Sequence, residues 1–194
     1  VALTLADEGI GAGARTRIER RLSAFARDLV SALLAPLAIE TDSGPVRGLL
    51  YQLERGLGTV RERDARAQIE ALSDEDRETL RAHGIELGAR SVHARALLSA
   101  GAITRRALLA RLHYRAPLDP PPGAVSLPRA REIPSEAYLA IGFVPLGSRA
   151  VRADAVERVL ARLAEMSPPF EMPPEVGRWI GVKASELPRV LSPL

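Results

Sequence analysis

Asp42-Ser43-Gly44-Pro45-Val46-Arg47-Gly48-Leu49-Leu50-Tyr51-Gln52-Leu53 carries the pattern that sets the fold class. Asp42 and Ser43 are short polar residues able to cap a helix, and Pro45 suits its first turn. Val46, Leu49, Leu50, Leu53 and then Leu57 recur at helical spacing, so one face is apolar. Gly56 and Gly58 loosen the end. Capped helices of this kind, built on leucine and alanine, predict a mostly α chain.

The pattern repeats on both sides. Upstream, Ile18, Leu22, Phe25, Leu29, Leu33 and Leu37 make one stripe over residues 15–35, with Arg15, Arg17, Arg20, Arg21 and Arg27 mainly off it. Pro36 ends it. Downstream, a more polar helix is predicted over 61–72. Ser73 and Asp76 have capping-box spacing for another, which stops at Gly84. Residues 85–92 read as an irregular or extended connector. Ile103, Leu108, Leu109 and Leu112 support a helix over 102–114.

Composition agrees. The 194 residues are 46% apolar but only 4% aromatic, so the core must come from Leu, Val, Ile and Ala. Ala and Leu favour helices, whereas sheets prefer β-branched and aromatic residues. There is no Cys, which excludes disulfides, thiolate metal sites and a Cys nucleophile. No apolar run reaches the ~18 residues of a membrane span. The start, Val1 to Ala6 before Asp7 and Glu8, shows no signal peptide, and the first residue is not Met. The expectation is a piece of a longer, cytoplasmic protein.

Proline organises the second half. Residues 117–134, with Pro120-Pro121-Pro122, read as a stiff linker between a helical domain (1–116) and a small module (135–194). In that module Ser135 caps a short helix that ends at Gly142. Phe143 to Leu146, Gly147-Ser148 and Arg149 to Arg152 predict a small β-hairpin. Pro145 restricts its strand to an edge or a bent arm. Asp154 caps a helix lined by Val156, Val159, Leu160 and Leu163. Pro168 and Pro169 break the chain, and residues 174–180 and 185–191 predict two short helices in a helix-turn-helix-like end. The expected fold is an irregular helical bundle with a small appendage.

Sites with chemistry are scarce. Gly9-Ile10-Gly11-Ala12-Gly13-Ala14 resembles a loose dinucleotide fingerprint, but Asp7 and Glu8 stand where a buried strand should be and would repel pyrophosphate. There is no Walker A sequence and no Gly-x-Ser-x-Gly elbow. His83, His93 and His113 lack ligand spacing, so no metal site is expected. Asp74-Glu75-Asp76 fits the first turn of a helix, where negative charge is favoured. Trp179 reads as a packing residue. No catalytic residue and no cofactor are assigned to this chain.

The basic residues are more informative. The chain carries +3 at pH 7, and 26 of its 27 cations are arginines, Lys183 being the exception. A GC-rich genome explains arginine over lysine; so does phosphate recognition, which arginine serves better. Arg105, Arg106 and Arg111, with Arg115, cluster on and after one helix. Arg149 and Arg152 flank the hairpin. These sets either grip phosphates or form a solvated face.

Several stretches together resemble the region after the two motor domains of bacterial Suv3-like superfamily 2 (DExH-type) helicases. Residues 44–53 resemble the family's helix after the motor. His83-Gly84-Ile85-Glu86-Leu87-Gly88 resembles a Gly-Val-Arg-Phe-Gly-type element, and residues 94–112 a leucine-rich turn and helix. Tyr138 to Val159, with Gly142-Phe143 and Arg149-Ala150-Val151-Arg152-Ala153-Asp154, resembles the last module. The chain departs at Leu97-Leu98-Ser99-Ala100, where the family often has Leu-Leu-Lys-Pro, and at Glu86, where it has Arg. The resemblance implies that ATP and magnesium belong to motor domains missing here. This piece would brace them and contact single-stranded RNA or DNA, with no membrane partner. The alternative is a helical protein-interaction scaffold that binds no nucleic acid.

Overall fold

The computed structural model describes Gly9, residues 11–166 and residues 172–192. It opens with α1 (Ala12–Leu34) and a 3-10 turn over Ala35–Leu37. In α2 (Gly44–Arg55), Ser43 accepts a hydrogen bond from the Val46 amide at 3.4 Å, and Val46, Leu49, Leu50 and Leu53 are buried as the spacing predicts. Next come β1 (Thr59–Arg61), α3 (Glu62–Glu70) and α4 (Asp74–Ala82). The capping box of α4 closes both ways: Ser73 Oγ accepts from the Asp76 amide at 3.1 Å, and Asp76 Oδ2 accepts from the Ser73 amide at 3.0 Å.

Residues 85–92, expected as an irregular or extended connector, are largely extended and belong to a sheet. β2 (Ile85–Leu87) and β3 (Ser91–Ala94) form a hairpin, and β1 joins it to give an antiparallel sheet of order β1-β3-β2. Val92 lies opposite both Val60 and Leu87. Strands of three or four residues are too short to show alternation, and β3 is buried throughout. A 3-10 turn (Arg95–Leu98) leads into α5 (Ala100–Tyr114).

The proline-rich segment is not a free linker. Its residues 126–128 form β4 (Ser126–Pro128), while Leu118, Leu127 and Ile133 are buried. α6 (Ser135–Ala140), β5 (Phe143–Leu146), β6 (Arg149–Arg152) and α7 (Ala153–Ala164) follow. The expected hairpin is present, widened by β4 into a second antiparallel sheet of order β4-β6-β5. β5 is an edge strand, which accommodates Pro145. Neither Ser135 nor Asp154 is a cap: each lies inside the first turn, after Pro134 and Arg152. Pro168 and Pro169 lie outside the described residues. α8 (Pro174–Ile180) and α9 (Leu187–Leu191), joined through a 3-10 turn, complete the chain. The fold is therefore mostly α with two small three-stranded sheets.

Three apolar clusters fill the interior. One packs the end of α1, α2, α3 and α4 on the first sheet. Another packs the second sheet under α7, α8 and α9. The third mixes Ile103, Ala107 and Ala110 of α5 with Leu118, Leu127, Ala137, Tyr138 and Phe143. It spans the boundary expected at residues 117–134, so α5 packs with the module that was to be separate.

Arg106 ties this junction together. It is fully buried, yet among the described residues no carboxylate pairs with it. Its Nε donates to Ala140 O at 2.9 Å and its Nη1 to Leu97 O at 2.9 Å. Its Nη2 donates to Thr59 Oγ1 at 2.9 Å and to Leu139 O at 3.2 Å. Burial pushes its pKa down to about 9, still above neutrality, so carbonyl dipoles stabilise a charged guanidinium. Gly142 makes the room, since a Cβ there would lie 2.5 Å from Leu98 Cδ2 and 2.9 Å from Arg106 Nη1. It also takes φ +86°, which side-chain-bearing residues rarely adopt.

Replacing Arg106 with Leu strips donors from three buried carbonyls and from Thr59. The expected loss is about 3 kcal/mol or more in urea unfolding. Arg106→Lys recovers only part, because one ammonium cannot span four acceptors fixed around a planar fork.

Candidate nucleic-acid interface

The arginines expected to act together do not share a surface. Arg106 is withdrawn into the core, so its guanidinium is closed to phosphate; that assignment is corrected. Arg105 and Arg111 are exposed on α5. Six residues apart, they point about 120° from one another around the helix axis. Arg105 Nε donates back to Gly101 O at 3.2 Å. Arg149 donates to Ser126 Oγ at 3.0 Å across the β4–β6 pair. Arg152 holds Asp154 through two hydrogen bonds of 2.7 and 2.9 Å at the start of α7. Arg115 ends α5 in the left-handed region.

A different set converges. Arg61, Arg63 and Arg66 from the β1–α3 junction, Arg90 from the β2–β3 turn and Arg129 after β4 line one cleft of about 580 Å³. Ser135 and residues 144–146 of β5 complete its walls, and Glu62 is the only acidic residue among the lining groups described. In the first turn of α3, Glu62 and Asp64 suit the helix dipole while Arg63 opposes it, and Arg66 pairs with Glu62 one turn on.

Neighbouring carboxylates hold some of these cations. Arg66 binds both oxygens of Glu62 at 3.1 Å, and this hydrogen bonding keeps the Glu62 carboxyl below its ordinary range. Arg61 reaches Glu136 at 3.0 Å and Asp64 at 3.8 Å, and Arg63 lies 3.6 Å from Asp64. Arg129 is held by neutral groups, Ser135 Oγ at 3.0 Å and Gly147 O at 3.5 Å. Solvated ion pairs of this kind are weak, so a phosphate can replace them at little cost.

Two charged anchors, the buried Arg106 and the half-buried Glu157, hold the walls. Arg106 fixes β1 through Thr59, two residues before Arg61. Glu157 of α7 fixes the β2–β3 turn, accepting from the Ala89, Arg90 and Ser91 amides at 2.7, 3.1 and 2.9 Å and from Ser91 Oγ at 3.0 Å. Gly88 allows this approach, as a Cβ there would come within 2.2 Å of the Glu157 carboxyl carbon.

Sequence reading missed the cleft because Arg61-Glu62-Arg63-Asp64-Ala65-Arg66 looks like an ordinary solvated face. Glu62 and Asp64 share the first turn of α3 with Arg63, so the segment shows no charge imbalance that would single it out. Arg90 and Arg129 carry no local signal.

The remaining candidates separate in space. The His83 ring nitrogen lies 2.8 Å from Thr79 O at the end of α4, and His113 stands edge-on to Tyr114. His93 is buried in the central strand of the first sheet, and its Nδ1 has no hydrogen-bond partner among the described residues. No group of three or more His, Asp or Glu among the described residues is arranged to hold a metal ion. No described helix is long and apolar enough to cross a membrane. No family model, no curated protein and no solved structure matches this chain.

Burial lowers the His93 pKa to about 4, outweighing the attraction of Asp154 and Glu86; Arg106 and Arg95 lower it further. The unfolded chain takes up this proton near 6.5, the folded chain only near 4. Stability attributable to His93 is therefore intact above pH 6.5 and falls as pH drops towards 4. The expected loss is about 2–3 kcal/mol, followed by urea unfolding across that window. His93→Gln should flatten the profile.

Proposed function

We propose that this chain is an accessory region of an ATP-dependent RNA or DNA helicase, which braces the motor and guides a single strand. The observation that carries this reading is the five-arginine cleft. It gathers cations from three distant segments and is built without a specific base-reading element. Such a groove suits a phosphate backbone, giving salt-sensitive and sequence-tolerant binding.

The chain's own residues do not fit a magnesium–triphosphate site. The Gly11 to Ala14 stretch winds into the exposed start of α1, and Lys183 is exposed between α8 and α9. The reading therefore places ATP and magnesium with motor residues outside this sequence. It assigns the brace to α1, whose stripe is left open: Ile18, Leu22 and Phe25 are 37%, 38% and 65% exposed. Exposed apolar stripes of this kind mark protein contacts. The same stripe favours the second reading, a protein-interaction scaffold without nucleic acid.

Two experiments separate these readings. Replacing Arg63, Arg66 and Arg129 with Ala should weaken binding of a labelled single strand at least tenfold at low salt, by fluorescence anisotropy. The slope of log K against log salt should fall by about 2, as expected for three lost phosphate contacts. No binding by the parent chain at low salt, or an unchanged variant, would leave only the scaffold. Leu22→Ser with Phe25→Ser should instead reduce co-purification with the motor domains and leave strand affinity unchanged.

A further inference from the structure

A second cleft adjoins the arginine cleft and has a different chemistry. Its volume is about 700 Å³, and its lining is mainly apolar. It lies between the C-terminal half of α2, β1, α3, the end of α5 and α6. Tyr51 and Tyr114 both line it, with Arg55 and the amides of Gln52 and Gln68. Arg61 lines both clefts, so the two adjoin at this residue.

Tyr51 is 59% exposed although Leu49, Leu50 and Leu53 around it are buried. Its ring does not serve the core. The Arg55 guanidinium, one turn later, stands 5.9 Å from the ring centroid, which places positive charge beside an open aromatic surface. Tyr114 is half-buried, and burial, with Glu136 nearby, raises its phenol above the ordinary value and keeps it neutral. Gln52 Nε2 donates to Gln68 Oε1 at 3.0 Å, while the buried Gln52 Oε1 has no donor among the described residues.

The charges divide the two clefts. Asp64 and Glu136 sit on the rim of the aromatic cleft, with Arg61 reaching both. A phosphate would be repelled there but is favoured on the far side of Arg61, among the other arginines. A neutral planar ring is favoured where the tyrosines are. One ligand carries both groups in this order: a nucleotide of a single strand.

We infer that the Tyr51–Tyr114 cleft receives an unpaired nucleobase of a strand whose phosphates lie in the arginine cleft, Tyr51 supplying the stacking surface. This inference rests on the strand-binding reading above. Stacking on tyrosine tolerates every base, so the site adds affinity and register without selecting sequence.

The test compares two labelled strands of about ten nucleotides on the full chain, one complete and one abasic along its length. The complete strand should bind at least about fivefold tighter, the low end of what one base stacked on an aromatic ring contributes. Tyr51→Ala should abolish that advantage and leave abasic affinity unchanged, while Tyr51→Phe retains it. Equal affinity for the two strands would overturn the inference and leave the arginine cleft standing. So would loss of both affinities together in Tyr51→Ala. Equal affinity with tighter binding of a tyrosine-bearing peptide would assign the pocket to a protein partner. Binding of neither strand would overturn this inference and the strand-binding reading together.

Discussion

Arg106 places a charged guanidinium where water cannot reach it, and its four hydrogen bonds run to three separate segments of chain. A cation in such a place is tolerable only if carbonyl dipoles surround it in fixed positions. Leu97, Thr59, Leu139 and Ala140 are thus constrained jointly, and the first sheet, α5 and α6 are held in one arrangement. Misplacing any of them leaves a buried donor or acceptor unmet, which costs more than the hydrogen bond contributes when made.

Glu157 applies the same logic with opposite charge. Its carboxylate gathers three consecutive amides of the β2–β3 turn, joining the helix that covers the second sheet to the turn of the first. Gly88 and Gly142 are the steric counterparts, each leaving a gap filled by the partner's charged group. Between these two anchors the sheets are locked at the spacing that creates the arginine cleft. The cleft residues are themselves mostly exposed and weakly paired, which suits groups that exchange partners with a ligand.

The proposed strand contact therefore draws on different arginines from those that cluster in the sequence. Arg105, Arg106 and Arg111 are neighbours along the chain, but the helix turns one inward and sends the others to different sides. Arg61, Arg63 and Arg66 hide among acids, and Arg90 and Arg129 stand alone until the turn and β4 bring them to the same opening. Tyr51 is similar: on paper it is one apolar residue of α2, and only its exposure beside Tyr114 and Arg61 distinguishes it from the leucines around it.

The sequence by itself determined most of the helices and the caps of α2 and α4. A 3.6-residue apolar period, the Ser43 cap, the Ser73–Asp76 box and the hairpin around Gly147 are local signals, and local energetics suffice to express them. Tertiary structure alone decided the first sheet, the role of the proline-rich segment and the inward turn of Arg106. Strands of three residues gain stability only from partners far along the chain, as Thr59–Arg61 does from Ser91–His93. A buried guanidinium likewise is selected by acceptors that exist only after distant segments have met, and no window of sequence contains them.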